Sequence, residues 1–541
     1  MSGTMRELDD LSPAWSHSEA TIEFFGQGFP EDVRQPGFSA RELRDHLVRS
    51  WRCMLESRPR ESLELAASVA SQLRELKPAA AERYRTQVHL IRAFGKALSD
   101  DPAGVLLELS GAAIDRGYGH LTRVLLRFAY WRLSRWSELY ALPVASPTTS
   151  PCDAFACIFD LVVLAAAALE RLQLITASRF ATDAMNMADA AGLGDSIAAA
   201  SAAAVLASVR YELGYLDYAE QLVLGRLPVI RARGTPDVII RAYSLLSRIA
   251  QHRGQREHAA VVLAEGQSLG EQKACARVVL TMMAERVRLL LASDDVPRAR
   301  QEVSAMRHYA QALPAAPYVR NEIALLCTLT HLQVMMAEGQ LRDAVAALRT
   351  MVTVTTTSQC RYAAFRLTLE LAGALSASVE DDLASRMLVR ALKTGERAGL
   401  LQCWIDASRA CGSLLERVAQ RLPHASSPQL AALEAYLRTI LAHQTTTKTA
   451  RQRTGRHSVR TSERLSARER TVLVLVAKGQ SNKRAAQTLK VTPETIKSHL
   501  KRVFVKLGAK TRAEAVSRAA DLGQLIGVVI PVAAKREHFY S

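Results

Sequence analysis

Aromatic residues make up only 6 % of this 541-residue chain, and its eight cysteines form no C-x-x-C pair. Alanine and leucine dominate instead, which suits closely packed helices. Cys53, Cys152, Cys157, Cys275, Cys327, Cys360, Cys403 and Cys411 mostly fall on apolar helix faces. They read as reduced core residues, and the scattered spacing argues against a disulfide framework or a zinc site. No uncharged apolar run approaches the roughly 18 residues a membrane span needs; the stretch Leu161 to Leu169 is too short. No apolar run follows a basic N-terminus, so no signal peptide is expected. These absences predict a cytoplasmic protein with no membrane partner.

Catalytic motifs are missing as well. No G-x-x-x-x-G-K-[ST] phosphate loop occurs, and Gly95-Lys96 sits in a helical pattern without the glycine-rich run that cradles phosphates. H-E-x-x-H and G-x-S-x-G are absent. No β-α alternation with an acidic cluster opens the chain, which argues against a phosphoacceptor receiver domain. Asp294-Asp295 and Asp381-Asp382 stand at helix starts, where acids favour the helix dipole. The chain is expected to be no enzyme and to carry neither cofactor nor metal.

What the sequence does have is basic charge in one place. The net charge is +17, and residues 445–541 hold 21 Lys+Arg against 6 Asp+Glu, so nearly all of the excess lies in the C-terminal fifth. That is the electrostatic footprint of a nucleic-acid module on a near-neutral body.

Within that fifth, Leu465 to Ile526 reads as four short helices. Ser466 and Glu469 form a capping box, and Gly479 ends the first helix. Ser481 caps a second helix from Asn482 to about Leu489. Thr492 caps a third, with Pro493 at its first position. Gly508 ends it, and Thr511 with Glu514 caps a fourth helix that stops near Gly523. Two short helices joined by a tight turn are a helix-turn-helix unit. Ile496, Leu500, Val503 and Leu507 share one side of the third helix. Glu494, Ser498, Lys501, Arg502 and Val505 share the other, with Lys497 and Lys506 on the flanks. A helix of this kind fits the major groove of B-DNA.

The stretch resembles the LuxR/GerE-type DNA-binding domain of bacterial transcription factors. Ser481-Asn482-Lys483, Thr495-Ile-Lys-Ser-His-Leu500, Lys506-Leu-Gly508 and Thr511-Arg-Ala-Glu-Ala515 carry the likeness over about sixty residues. The resemblance implies that Lys497, Ser498 and Lys501 reach into the major groove. It places Ser481, Asn482, Lys483, Thr495 and His499 at or near backbone contacts, and gives the fourth helix a dimer contact. Arg484 departs from the pattern, because a glutamate usually stands there. It either adds a phosphate contact or slightly destabilises a helix start, where the dipole disfavours a cation. Arg502 completes the set of candidate DNA-binding residues, and Arg464 and Lys510 add to the field.

Upstream, from about Ala40 to His443, helix follows helix with a recurring turn. Gly214 to Ala219, Gly254 to Ala259 and Gly339 to Ala344 are its clearest copies. Weaker ones end at Ala177, Ala299 and Ala384, and Arg60 to Ser62, Pro102-Ala103 and Trp136 to Leu139 continue the beat loosely. The alanines from Ala219 to Ala384 are spaced by 40, 40, 45 and 40. A fixed period near 40 with a small residue after each turn predicts stacked helical hairpins wound into a superhelix. This is similar to the tetratricopeptide-like (TPR-like) domain of MalT-type regulators. Full-length members of that group carry an ATPase module ahead of the repeats. With no phosphate loop and repeats from about residue 40, no ATP-gated assembly is expected here.

The expected fold class is thus all-α: a TPR-like superhelical array over 40–443, then a small four-helix helix-turn-helix domain over 463–527. An irregular segment (1–39), a flexible Thr- and Arg-rich linker (444–462) and a tail (528–541) complete the chain. The expected function is transcriptional regulation by a DNA-binding protein, dimeric on double-stranded DNA, whose repeats sense a small molecule or a protein partner. The alternative is a TPR-type interaction scaffold that its helix-turn-helix domain localises to DNA.

Overall fold

The structure is a computed structural model. It describes residues 34–35, 38–55, 58–73, 78–110, 119–144, 151–313, 317–378, 380–421, 428–457, 467–477, 480–489, 491–507, 509, 511–512 and 514–516. Two two-residue strands, Arg34–Gln35 and Phe38–Ser39, pair antiparallel at the end of the segment expected to be irregular. Every other regular element among the described residues is a helix. The chain divides into two compact units, residues 1–245 with 265–444 and residues 246–264 with 445–541.

One turn recurs along the repeats. Asp100, Ser134, Leu172, Gly214, Gly254, Asp294 and Gly339 all hold a left-handed backbone, with φ between 55° and 89°. The next residue's N–H then reaches back to a carbonyl five residues upstream, as from Tyr215 to Arg210 at 2.9 Å and from Gln340 to Met335 at 2.9 Å. This closes the C-terminus of one helix and starts the next at once. Glycine takes the conformation freely, whereas the other turn residues pay roughly 1–2 kcal/mol for a Cβ close to a carbonyl.

Five residues beyond each left-handed residue stands a side chain with no exposed surface. These are Val105, Leu139, Ala177, Ala219, Ala259, Ala299 and Ala344, and Ala384 holds the equivalent place after the last turn. The expected beat is therefore present from Ala177 onward. Upstream its register differs: Val105, not Pro102-Ala103, holds the position, and Val105 to Leu139 is a step of 34. Val105 and Leu139 take the buried place at the first turns, so residue size does not mark them.

In the first unit the hairpins bury a run of apolar clusters. Leu43, Leu47, Trp51, Tyr84 and Ile91 centre the first, Trp136, Leu139 and Ile158 the next, and Leu369, Leu388, Trp404 and Leu415 the last. Residues distant in sequence meet within this unit. Trp136 Nε1 donates to the Ser358 carbonyl at 2.7 Å, and Leu401 N donates to the Glu212 carbonyl at 2.7 Å. Tyr211 Oη donates to Asp406 at 3.0 Å. The array thus winds until hairpins well over a hundred residues apart touch.

Charge ties reinforce that closure. Arg277, at the start of the helix Ala276–Leu291, donates to Asp100 at 2.5 and 3.1 Å and to Asp237 at 2.9 Å. Arg132 joins Asp100 at 3.3 Å to Glu322 at 2.7 Å. Burial alone would raise the Asp237 carboxyl, but Arg277 and Arg132 hold it well below the usual carboxylate range. Arg127 and Asp160 form a separate, fully buried pair at 2.6 Å, and the remaining guanidinium N–H groups donate to the carbonyls of Leu139 and Pro143. A pair so completely bonded is costly to break from one side, about 3–5 kcal/mol.

The expected flexible linker is instead helical as far as His457, where the helix Pro428–His457 ends. Leu433, Leu437 and Ile440 anchor the start of that helix in the core. Extending an anchored helix costs far less than nucleating a new one, so a proline-free, polar sequence is enough to continue it. The rest of the linker, the tail and most of the N-terminal segment lie outside the described residues, as does the side chain of Cys152. Cys53, Cys157, Cys275, Cys327, Cys360, Cys403 and Cys411 are free thiols. No helix among the described residues is long and apolar enough to cross a membrane.

Two outcomes follow from the packing. A Cβ on Gly373 would run into the Ala410 backbone, whereas one on Gly119 meets nothing. Gly373→Ala should lower stability by about 1–3 kcal/mol in urea unfolding despite its better helix propensity, and Gly119→Ala should not. Burial pushes the Glu170 carboxyl up to about 7, against the pull of Arg241 and Arg132. The folded state then binds an extra proton between the ordinary glutamate range and about pH 7, so stability falls as pH rises through that window. Glu170→Gln should flatten the pH dependence of Tm, with its largest gain above pH 7.

Candidate nucleic-acid interface

Three helices build the domain that the basic charge marks: Ala467–Ala477, Asn482–Leu489 and Pro493–Leu507. Val472, Leu473 and Val476 of the first, Ala485 and Ala486 of the second, and Ile496, Leu500 and Val503 of the third form one buried cluster. Ala515 and Val516, after Thr511, close it. The 3.6-residue period of the third helix puts its apolar stripe in this core, which fixes its rotation about its own axis.

The caps fall where the sequence places them. Arg484 N donates to Ser481 Oγ at 3.3 Å, Thr495 N to Thr492 Oγ1 at 3.3 Å, and Glu514 N to Thr511 Oγ1 at 3.1 Å. Ser466, Gly479, Gly508 and the body of the fourth helix lie outside the described residues. So do the side chains of Val505 and Leu507.

With the core fixed, the outer face follows. Lys497, Ser498, Lys501 and Arg502 are exposed on the third helix, and Thr495 and His499 are half-buried. His499 Nδ1 is buried and has no hydrogen-bond partner among the described residues. Ser481, Lys483 and Arg484 are exposed on the first turn of the second helix, with Asn482 half-buried among them. Lys497 Nζ meets Glu494 Oε1 at 2.6 Å, an exposed pair that solvent screens and that opens cheaply.

Two cations have internal work that the sequence did not reveal. Lys506 is turned inward and donates to the buried Glu469 carboxylate at 2.9 Å, joining the third helix to the first. It does not lie free on the flank where helical spacing put it. Arg512 donates to Asn482 Oδ1 at 2.8 Å and to the Gln480 carbonyl at 2.9 Å, clamping the turn that leads into the second helix. Its neighbour Thr511, within the family-like run Thr511-Arg512, was the available signal. Asn482 keeps its Nδ2 donors, so this clamp orients the side chain without using up its capacity to donate.

Two family descriptions match the chain. Residues 463–519 match "Bacterial regulatory proteins, luxR family", and residues 149–421, half of the chain, match "MalT-like TPR region". The chain belongs to the family defined by the MalT-like TPR region, and it carries a LuxR-family domain behind it. Among named relatives, the HTH-type transcriptional activator RamA of Corynebacterium glutamicum is 46 % identical over 67 residues, 12 % of this chain and 24 % of the relative. The HTH-type transcriptional regulator MalT of Vibrio parahaemolyticus is 25 % identical over 321 residues, 58 % of this chain and 35 % of the relative. A probable transcriptional regulatory protein NarL of Mycobacterium tuberculosis is 51 % identical over 55 residues, 10 % of this chain and 26 % of the relative. The chain thus spans about a quarter to a third of the length of these relatives. Its basic C-terminal part thus carries a LuxR-type helix-turn-helix domain.

The clamp gives a prediction for this LuxR-type domain. Arg512→Lys keeps the charge but loses the two-pronged geometry. Both it and Arg512→Ala should cost about 1 kcal/mol. Both should also speed amide exchange at Arg484 and Ala485, where the second helix begins. Unchanged exchange would mean the clamp is dispensable.

Proposed function

We propose that this regulator binds promoter DNA sequence-specifically by laying the helix Pro493–Leu507 in the major groove. Lys497, Ser498 and Lys501 read base edges; Ser481, Asn482, Lys483, Arg484, Thr495, His499 and Arg502 hold phosphates or steady the fit. The observation that carries this reading is a continuous exposed face, from Lys483 and Arg484 to Lys501 and Arg502, on helices whose opposite faces are locked in one core. From Glu494 to Arg502 that face rises about 12 Å along the helix, enough to follow the groove over several base pairs.

The domain binds as a homodimer on two half-sites about one helical turn or a multiple apart. The repeat array senses a small molecule or a protein partner and controls that binding. The concave surface expected of stacked hairpins and the long-range ties within the array support this role.

The test is a salt series with the full chain on the DNA upstream of its own gene. Affinity should fall steeply with salt, with a log–log slope of about 0.9 per phosphate neutralised. Lys501→Ala should cost about 1–3 kcal/mol and relax preference at one base position. Arg484→Glu should leave preference intact and lower the salt slope by about one phosphate. If Lys501→Ala changes neither affinity nor preference, the third helix does not read DNA.

A further inference from the structure

Inside the first unit the helices Pro78–Leu98, Gly119–Arg132, Pro151–Glu170 and Ile197–Glu212 enclose a cavity of about 100 Å³. Its wall is almost wholly apolar. In a chain with few aromatics it collects Phe94, Phe128, Trp131, Phe155 and Phe159. Phe155 and Phe159 meet edge to face at 5.0 Å, and Phe128 and Trp131 do so at 6.1 Å. Rings arranged this way favour a further ring, because positive edges meet negative faces. An apolar cavity of about 150 Å³ takes one benzene, so this smaller space takes at most a single small ring, and only as its wall gives.

Thr235, Asp237 and Arg241, at the start of the helix Pro236–His252, are the polar part of an otherwise apolar lining. The groups without partners there are donors. Trp131 is 5 % exposed, and its Nε1 has no acceptor within hydrogen-bond distance, although the Glu170 carboxyl lies near enough to feel the N–H. Arg241 makes no ion pair among the described residues. Two acids lie near it: Asp237 pairs with Arg277 at 2.9 Å, and burial raises the Glu170 carboxyl to about 7, which weakens its hold on Arg241.

We propose that this cavity binds a small aromatic carboxylate, with the ring among the phenylalanines and the carboxylate on Arg241. A guanidinium that is not closed into an ion pair can take a carboxylate, and a largely apolar wall pulls the ring out of water. The site also adjoins the charge ties of the array. Asp237 lines the cavity and pairs with Arg277, while the Arg132 guanidinium sits 5.8 Å from the Trp131 ring centroid. A bound ring therefore touches residues that hold distant hairpins together. This deepens the sensing role proposed above and rests on it for the regulatory consequence, though not for binding.

The experiment is calorimetric titration of the full chain with sodium benzoate and, separately, with benzyl alcohol, followed by DNA-affinity measurements with and without benzoate. Benzoate should bind one to one, at least tenfold more tightly than benzyl alcohol. Arg241→Gln, at a half-exposed position that should fold normally, should weaken benzoate at least tenfold and leave benzyl alcohol unchanged. Ala166→Leu, which fills the cavity, should abolish both; if it fails to fold, Arg241→Gln decides. Absence of benzoate binding, or wild-type binding by Arg241→Gln, overturns the site and leaves sensing of some other ligand standing. Benzoate binding that leaves DNA affinity unchanged supports the site and removes its regulatory use.

Discussion

Seven turns of the array share one steric arrangement. A residue in the left-handed conformation ends a helix, and five positions later a side chain sits with no exposed surface. Alanine meets the second condition at Ala177, Ala219, Ala259, Ala299, Ala344 and Ala384. The closeness this allows sets the angle between the two helices of a hairpin. Repeated along the chain, one angle becomes the winding of the array, and the winding decides which distant residues meet. Asp100 finds Arg277, and Trp136 finds Ser358, because many small rotations add up.

This explains which features were legible in the sequence. The turns were readable because a left-handed glycine and a small residue at a fixed offset are local signals. Where valine or leucine holds the buried position, as at Val105 and Leu139, the signal disappears although the geometry persists. The tie among Asp100, Arg132, Asp237, Arg277 and Glu322 was not legible at all, since its partners are assembled only by the accumulated winding. In the DNA-binding domain, caps and core face were readable from spacing alone. The tasks of Lys506 and Arg512 were not, because helical periodicity tells which way a side chain leaves its own helix and nothing about what stands opposite. The helix through residues 444–457 was missed for a related reason: composition describes a segment in isolation, whereas the core upstream had already nucleated it.

Charge is used in opposite ways in the two parts of the chain. Residues 1–444 are close to neutral, and many of their charged groups answer one another at short range, as Arg127 does Asp160. In the C-terminal fifth the acids are too few for that. Glu469 takes Lys506 and Glu494 takes Lys497, and Lys483, Lys501 and Arg502 remain exposed. An unanswered cation on a rigid face keeps its attraction for a polyanion and loses little entropy on binding, because the helix beneath it is already ordered.

The buried ties of the array bear on its proposed sensing role through their energetics. Desolvating five charged groups is expensive, and their mutual attraction in a low-dielectric interior roughly repays it. Opening the tie loses the attraction but restores hydration, so the net difference between closed and open arrangements is a small remainder of large terms. A remainder of a few kcal/mol lies within the range that differential ligand binding can shift. A purely apolar closure of the same extent would have no such compensation, because exposing its surface to water gains nothing. A charged seam between distant hairpins is therefore the kind of contact that a modest ligand, bound beside Asp237 and Trp131, could bias without having to unfold a core.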